Sequence, residues 1–213
     1  MEIAILLYDG MTALDAIGPY EVLSRIPNAV TRFVGTERGL KRTDQGSLAL
    51  QADYRLDEVT SPSVVVIPGG PGQSQQMENG PLLEWIRAVH GQTRWTVSVC
   101  TGALILGGAG ILRGVRATTH WLAMDALAGY GAIPVRERVV FDGRIVTGAG
   151  VSAGLDLGLQ LVARESGATC GREIQLWIEY DPQPPFDCGS PARADDELLQ
   201  RLRQRSRFHR KEA

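Results

Sequence analysis

The sequence predicts an α/β fold in which a mostly parallel sheet carries helices on both faces. Three observations carry that prediction. Short apolar runs bounded by turn residues recur along the chain, helical patterns separate them, and no internal repeat or long low-complexity stretch interrupts the alternation. Strands that alternate with helices are joined by crossovers, which makes neighbouring strands parallel and buries both faces of the sheet.

The first strand is expected at IAILLY (3–8), whose continuous apolar character suits a strand covered on both sides. IGPYEVLSRI (17–26) follows as a helix, with Pro19 near its start, where a missing N–H costs nothing. VTRFVG (30–35) and VVVIP (64–68) read as the next strands, and the amphipathic PLLEWIRAVH (81–90) as a helix opening on proline. The strand WTVSV (95–99) runs into the helical TGALILGGAGIL (101–112). HWLAMDALAGYG (120–131), SAGLDLGLQLVARES (152–166) and REIQLWIEY (172–180) supply further helices. RIVTG (144–148) is a strand, and RVVFDGRIVT (138–147) reads as a hairpin turning at Asp142-Gly143.

The segment DPQPPFDCGSP (181–191) holds four prolines in eleven residues, which excludes helix and central strand and predicts a surface arm. A last helix is expected to start at Ser190-Pro191 and run through DDELLQRLRQR. From Gln200 onward six Lys and Arg face one Glu, which reads as a solvated helical end in preference to a nucleic-acid contact. The expected organisation is therefore one domain over 1–190 and a basic helix and tail over 191–213.

Composition narrows the function classes. A chain of 213 residues can bury one sizeable core. A formal net charge of −2 gives no general attraction to nucleic acid or anionic membrane. The longest apolar runs are too short to cross a bilayer, and MEIAILLYDG reads as a strand, not as a signal peptide. Three cysteines at wide spacing (100, 170 and 188) make no disulfide framework, so a reducing, cytoplasmic setting is expected. No metal-ligand spacing is present, and no cofactor is expected.

The chemistry centres on TVSVCTGALILGGAG (96–110), where Cys100 stands at the end of a strand and a helix opens after it. Ligands of open α/β sheets bind outside the carboxyl ends of the strands, and a tight strand-to-helix turn pushes a side chain outward there. The helix start is expected to favour thiolate over thiol. A buried structural thiol is the alternative. In VVVIPGGPG (64–72) the turn at Gly69-Gly70 is either a plain turn or a place where backbone faces a pocket. In the second case the amides of Gly70 and Thr101 form an oxyanion-type pair beside the sulfur. Asp15 interrupts the apolar run in LDAIGP (14–19), as a helix cap or as an acid at the pocket floor. His120 in ATTHW (117–121) is a base or, more commonly for a lone histidine, a satisfied core residue. Asp156 reads as structural, Trp121 and Trp177 as packing or pocket lining, and Cys170 and Cys188 as non-catalytic.

These stretches resemble the ThiJ/PfpI superfamily, whose domain is class I glutamine amidotransferase-like, over nearly all of 1–190. The carrying segments are LDAIGPYEVL, VIPGGPG, SVCTGALILGGAGILRGVRATTHW and GAGVSAGLDLGLQLV. The resemblance implies a flavodoxin-like three-layer sandwich, usually a homodimer with the site close to the subunit interface. It places the nucleophile on Cys100, the acid on Asp15, the oxyanion amides on Gly70 and Thr101, and a neighbouring histidine on His120, with Gly69 beside them. Protease-like and chaperone-like branches put histidine directly after the cysteine; Thr101 stands there instead. The LDxxGP, CTG and ATTHW motifs, with ERVV (137–140) through EYDPQPPFDCGSP (179–191), are similar to the isonitrile hydratase branch. That branch implies a lyase forming N-substituted formamides through a covalent thioimidate. A glyoxalase or deglycase acting on 2-oxoaldehydes, and a thiol stress sensor akin to the sensor domains of AraC-type regulators, are the alternatives. Those regulators carry a helix-turn-helix region beyond the domain, which this chain is expected to lack.

Overall fold

The computed structural model describes residues 1–208. The strands are β1 (Glu2–Leu6), β2 (Val30–Gly35), β3 (Gly39–Arg42), β4 (Ala49–Ala52), β5 (Tyr54–Arg55), β6 (Val64–Ile67), β7 (Trp95–Val99), β8 (Arg116–Ala117), β9 (Ile133–Pro134), β10 (Val139–Asp142) and β11 (Ile145–Gly148). Seven of them form one sheet in the order β10-β11-β7-β6-β1-β2-β5. All its neighbours pair in parallel except β10 with β11. The middle five, taken in chain order, give the 2-1-3-4-5 arrangement of flavodoxin-like sheets. β3 and β4 make a separate antiparallel ribbon, and β8 and β9 a short parallel pair.

The helices are α1 (Ala13–Leu23), α2 (Gln73–Gln76), α3 (Gly80–His90), α4 (Gly102–Gly108), α5 (Met124–Ala128), α6 (Ala153–Ser166), α7 (Ala168–Trp177) and α8 (Asp196–Arg205). From β1 the chain crosses by α1 to β2 on one side, whereas from β6 it crosses by α3 to β7 on the other. Right-handed crossovers in opposite directions put α1 and α3 on opposite faces. α6 packs on α1 and α7 on α6, while α3 packs on α4, so helices sandwich the sheet as the α/β prediction requires. α3 shows why: Leu82, Leu83, Trp85, Ile86 and Val89 form one buried stripe, and the Asn79 side chain accepts from the Leu82 N–H at its start.

Four expectations need correction. α1 starts at Ala13, so Pro19 lies in the helix interior, not near its start. The lost hydrogen bond is tolerated because α1 is clamped on α6: a Cβ on Gly154 would come within 2.8 Å of the Pro19 ring. The hairpin turns one residue later than expected, with Asp142 paired to Ile145 and Gly143-Arg144 as the loop. Gly143 takes φ +56° there, while Asp142 accepts the Arg116 N–H at 2.8 Å. The helical pattern over 120–131 splits into a 3-10 turn at Trp121–Ala123 followed by α5. Finally, α8 starts after Asp195, whose carboxylate accepts the Leu198 N–H at 2.7 Å, and not at Ser190-Pro191. Nor is this helix a free solvated end. Leu199 and Ser206 are buried, and Arg203 stands 5.8 Å from the Trp121 ring. The remainder of the basic tail, 209–213, lies outside the described residues.

Candidate active site

Three strand ends meet where the sheet's connections diverge, between β1 and β6, the switch point at which open α/β sheets bind ligands. Past β1 come Tyr8 and then Asp15 on α1. Past β6 comes the bare turn Pro68-Gly69-Gly70. Past β7 comes Cys100.

Cys100 is a strained elbow. Its N–H continues the ladder by donating to the Gly148 carbonyl at 3.0 Å, and its own φ is +56°. A left-handed conformation costs an L-residue about 1–2 kcal/mol, so neighbours must hold it. Thr119 does so, its hydroxyl donating to the Cys100 carbonyl at 2.8 Å. The turn after β6 presses on this elbow with backbone alone. A Cβ on Gly102 would lie 2.1 Å from the Ile67 carbonyl oxygen, and one on Gly69 would lie 2.5 Å from the Thr101 nitrogen. Glycine is the residue that permits such an approach.

Asp15 is fully buried in the first turn of α1, so it is not the N-cap; Thr12 holds that position. Its Oδ2 accepts the Gly69 N–H at 3.0 Å. Its Oδ1 is buried without a hydrogen-bond partner, and the Cys100 side chain is among the groups that act on the Asp15 carboxyl. Burial raises the carboxyl to about 7, outweighing the bonds from Gly69 and Cys100 that favour its anion. Burial, then the Asp15 charge, push the Cys100 thiol well up, against the Thr101 amide and hydroxyl, which pull it down. Desolvation and the neighbouring carboxylate therefore act against the thiolate that the helix start is expected to favour. Two acids in contact behave as one pair, and loss of its first proton leaves a single proton between sulfur and oxygen.

The other expected residues fall as follows. The Gly70 N–H donates to the Thr101 hydroxyl at 2.9 Å, so in this state it is engaged and does not face a ligand. His120 caps its own 3-10 turn, with Nδ1 accepting from the Leu122 N–H at 3.4 Å, and burial lowers its pKa, so it is a neutral local residue. Asp156 is held by Arg138 and by the Tyr180 hydroxyl at 3.2 Å, away from the sulfur, in the structural role expected. Trp121 lines a cavity of about 540 Å³ with Leu14, Thr119, His120, Met124 and Pro191, among others. That cavity adjoins the elbow through Leu14 and Thr119 but is not lined by Cys100. Trp177 is 81% exposed. Cys170 and Cys188 are free thiols, as Cys100 is. Among the described residues no three His, Cys, Asp or Glu side chains gather as a metal site needs.

Two residues went unmarked in the sequence. Tyr8 is buried, its hydroxyl donating to the Pro68 carbonyl at 2.8 Å; burial and the Asp15 and Cys100 charges keep it a neutral phenol. A polar tip ending an apolar strand was the available signal. Arg207 reaches the Gly70 carbonyl at 3.1 Å from the far end of the chain, and nothing local announces it.

Comparison with known proteins accords with this architecture. The chain is 39% identical over 206 residues to an isonitrile hydratase from Pseudomonas putida, covering 97% of this chain and 90% of that one. It is 36% identical over 161 residues to the HTH-type transcriptional regulator CdhR from Pseudomonas aeruginosa, spanning 74% of this chain and 47% of the regulator. The crystal structure of a ThiJ/PfpI family protein from Pseudomonas syringae superposes with a TM-score of 0.92 at 38% identity, covering 94% of this chain and 84% of that one. The model of the DJ-1/PfpI family matches residues 1–164, and with relatives aligned over nearly its whole length this chain belongs to the DJ-1/PfpI family.

Proposed function

We propose that the protein is a cysteine-dependent isonitrile hydratase. The observation that carries this reading is the buried Cys100–Asp15 pair, a thiol and a carboxyl group in contact with Thr101 beside them. The similarity to the hydratase from Pseudomonas putida supports the choice of substrate class.

An isonitrile carbon accepts a nucleophile and a proton at the same atom. In the singly protonated pair the proton passes from sulfur to Asp15, and Cys100 attacks as thiolate. The S–C bond forms, and Asp15 delivers its proton to that carbon, giving a thioimidate, Cys–S–CH=N–R. Water then adds to the carbon, and Asp15 takes its proton and passes it to the nitrogen. The resulting tetrahedral centre expels the thiol and releases the N-substituted formamide. This is covalent catalysis in two easier steps, with one group serving as acid and then base. The Thr101 hydroxyl, fixed by the Gly70 N–H, is placed to orient the water. Rotation of that hydroxyl frees the Gly70 amide for charge on the intermediate.

The test is incubation with cyclohexyl isonitrile and detection of N-cyclohexylformamide. The reading requires formamide from the wild type and none from Cys100→Ala. Consumption of methylglyoxal in place of isonitrile moves the assignment to a glyoxalase. Modification of Cys100 by peroxide with turnover of neither substrate moves it to a thiol sensor.

The reading also includes self-association and a reducing, cytoplasmic setting. Leu176 and Trp177 on α7 are each 81% exposed, neighbouring apolar side chains that a second copy would cover. Sedimentation of the wild type as a dimer, and of Trp177→Glu as a monomer, is the expected outcome.

A further inference from the structure

The turn after β6 has two sides. Inward it presents amides: the Gly69 N–H donates to Asp15 Oδ2 at 3.0 Å, and the Gly70 N–H to the Thr101 hydroxyl at 2.9 Å. Outward it presents carbonyls, and a residue 137 positions away takes them. Arg207 donates through Nη2 to the Gly70 carbonyl at 3.1 Å and to Gln73 Oε1 at 2.8 Å, and through Nη1 to the Pro71 carbonyl. One guanidinium thus spans the back of the turn whose front holds Asp15 and Thr101.

The turn has little of its own to anchor it. Gly69 and Gly70 bring no side chain, and glycine loses the most conformational freedom on ordering. Pro71 has no N–H to tie. The Thr12 N–H reaches the Gly69 carbonyl and the Gly72 N–H reaches the Gly10 carbonyl, each at 2.9 Å. The Pro71 carbonyl is left to side chains, Arg207 and, at 3.4 Å, the Ser74 hydroxyl. Arg207 is itself placed from both sides. Ser206 before it is buried, and Phe208 after it packs against the core. The Ser206 hydroxyl accepts the Phe208 N–H at 3.2 Å, and the guanidinium stands 4.8 Å from the Phe208 ring centre. A planar fork of donors serves three spread acceptors at once, which a single ammonium nitrogen cannot do.

We infer that Arg207 is a positioning residue: its hydrogen bonds to Gly70, Pro71 and Gln73 fix the turn whose amides set the Asp15 carboxyl and the Thr101 hydroxyl for catalysis. It acts through the shape of its fork, across the backbone of the turn. The role rests on Asp15 and Thr101 working as proposed above, and the ordering of the turn is measurable without turnover.

Amide hydrogen exchange followed by NMR reads the turn directly. Arg207→Met keeps the stem and removes the donors; it should speed exchange at Gly69 and Gly70 by about tenfold and leave Val66 in β6 unchanged. In hydration of cyclohexyl isonitrile its kcat should fall by about tenfold to a hundredfold with KM within about twofold, the pattern of lost geometry and not of lost binding. Arg207→Lys should stay within about threefold of the Met variant, since one nitrogen does not replace the fork. Combined with Thr101→Val, Arg207→Met should cost less than the product of the two single losses, because both act through the Gly70–Thr101 bond. Thermal melts accompany each variant, and Arg207→Gln replaces Met if that variant does not stay folded. Unchanged exchange at Gly69 and Gly70 in a folded variant overturns the inference, and so does faster exchange with kcat unchanged. Full recovery by Lys would make charge the cause, and losses that multiply would place the action of Arg207 away from this turn; either result overturns it. If the wild type forms no formamide, the hydratase reading falls by itself, and the kcat and KM comparison is decided on methylglyoxal alongside the same exchange data.

Discussion

The elbow around Cys100 and the surface formed by α7 and the proline-rich arm spend their side chains in opposite ways. At the elbow nearly every polar group is matched to backbone: Asp15 to Gly69, Thr101 to Gly70, Thr119 to the Cys100 carbonyl, Tyr8 to the Pro68 carbonyl. Glycines there are packed so that no Cβ fits, and Cys100 sits in a strained conformation. On α7 and the arm, Leu176, Trp177 and Phe186 are largely exposed. The difference separates two kinds of constraint. The elbow has one geometry and little tolerance, because its chemistry depends on where one proton and one sulfur lie. The α7 residues tolerate change within the chain, because little of it packs on their side chains.

Substitutions should break along that line. The largest effect is expected from Cys100→Ala, which removes all formamide formation while a melting curve still shows a folded protein. Gly102→Ala comes next. Its Cβ would stand 2.1 Å from the Ile67 carbonyl oxygen, and moving backbone to admit it should cost 3 kcal/mol or more on the order of known core overpacking. Denaturant unfolding measures the loss. Asp15→Asn should lower turnover by about 100- to 10,000-fold, the range for a positioned acid–base group.

The same Asn substitution should change stability with a definite sign. The Asp15 carboxyl has its folded pKa raised to about 7 from an ordinary 3.8. Its contribution is therefore fully present below the unfolded pKa and lost as pH rises through 7. The neutral Asn variant should gain on the wild type by about 2–3 kcal/mol between roughly pH 5 and pH 8. A gap constant across that range would place the acid outside this account. The smallest effect is expected from Trp177→Glu, which should leave thermal stability within about 0.5 kcal/mol at high dilution and change only self-association.

The comparison also explains what could be read from the sequence. β2, β6, β7 and β11 lie within the apolar runs that announce them and β1 starts one residue before its run, since a buried parallel strand is a local signal. Cys100, Asp15 and the Gly69-Gly70 turn were legible because each interrupts its local pattern: a thiol at a strand end, an acid in an apolar run, paired glycines after four apolar residues. Tyr8 signals only through the polar tip that ends its apolar run and Thr119 interrupts nothing, so their bonds to Pro68 and Cys100 stayed hidden until the strand ends met. Pro19 misled because a proline near a helix start and one clamped inside a packed helix look alike in sequence. Arg207 was read with a solvated tail, since docking of α8 rests on Leu199, Ser206 and Phe208, each single and unremarkable in a polar stretch.

The central claim is that Cys100 and Asp15 act as one pair holding one proton. The most direct test is the pH dependence of kcat/KM for isonitrile hydration by the wild type. The pair predicts a fall of about tenfold per pH unit below a midpoint near 7, where Asp15 takes up the second proton and the thiolate is lost. A rate that stays flat from about pH 8 down to pH 5 would contradict it.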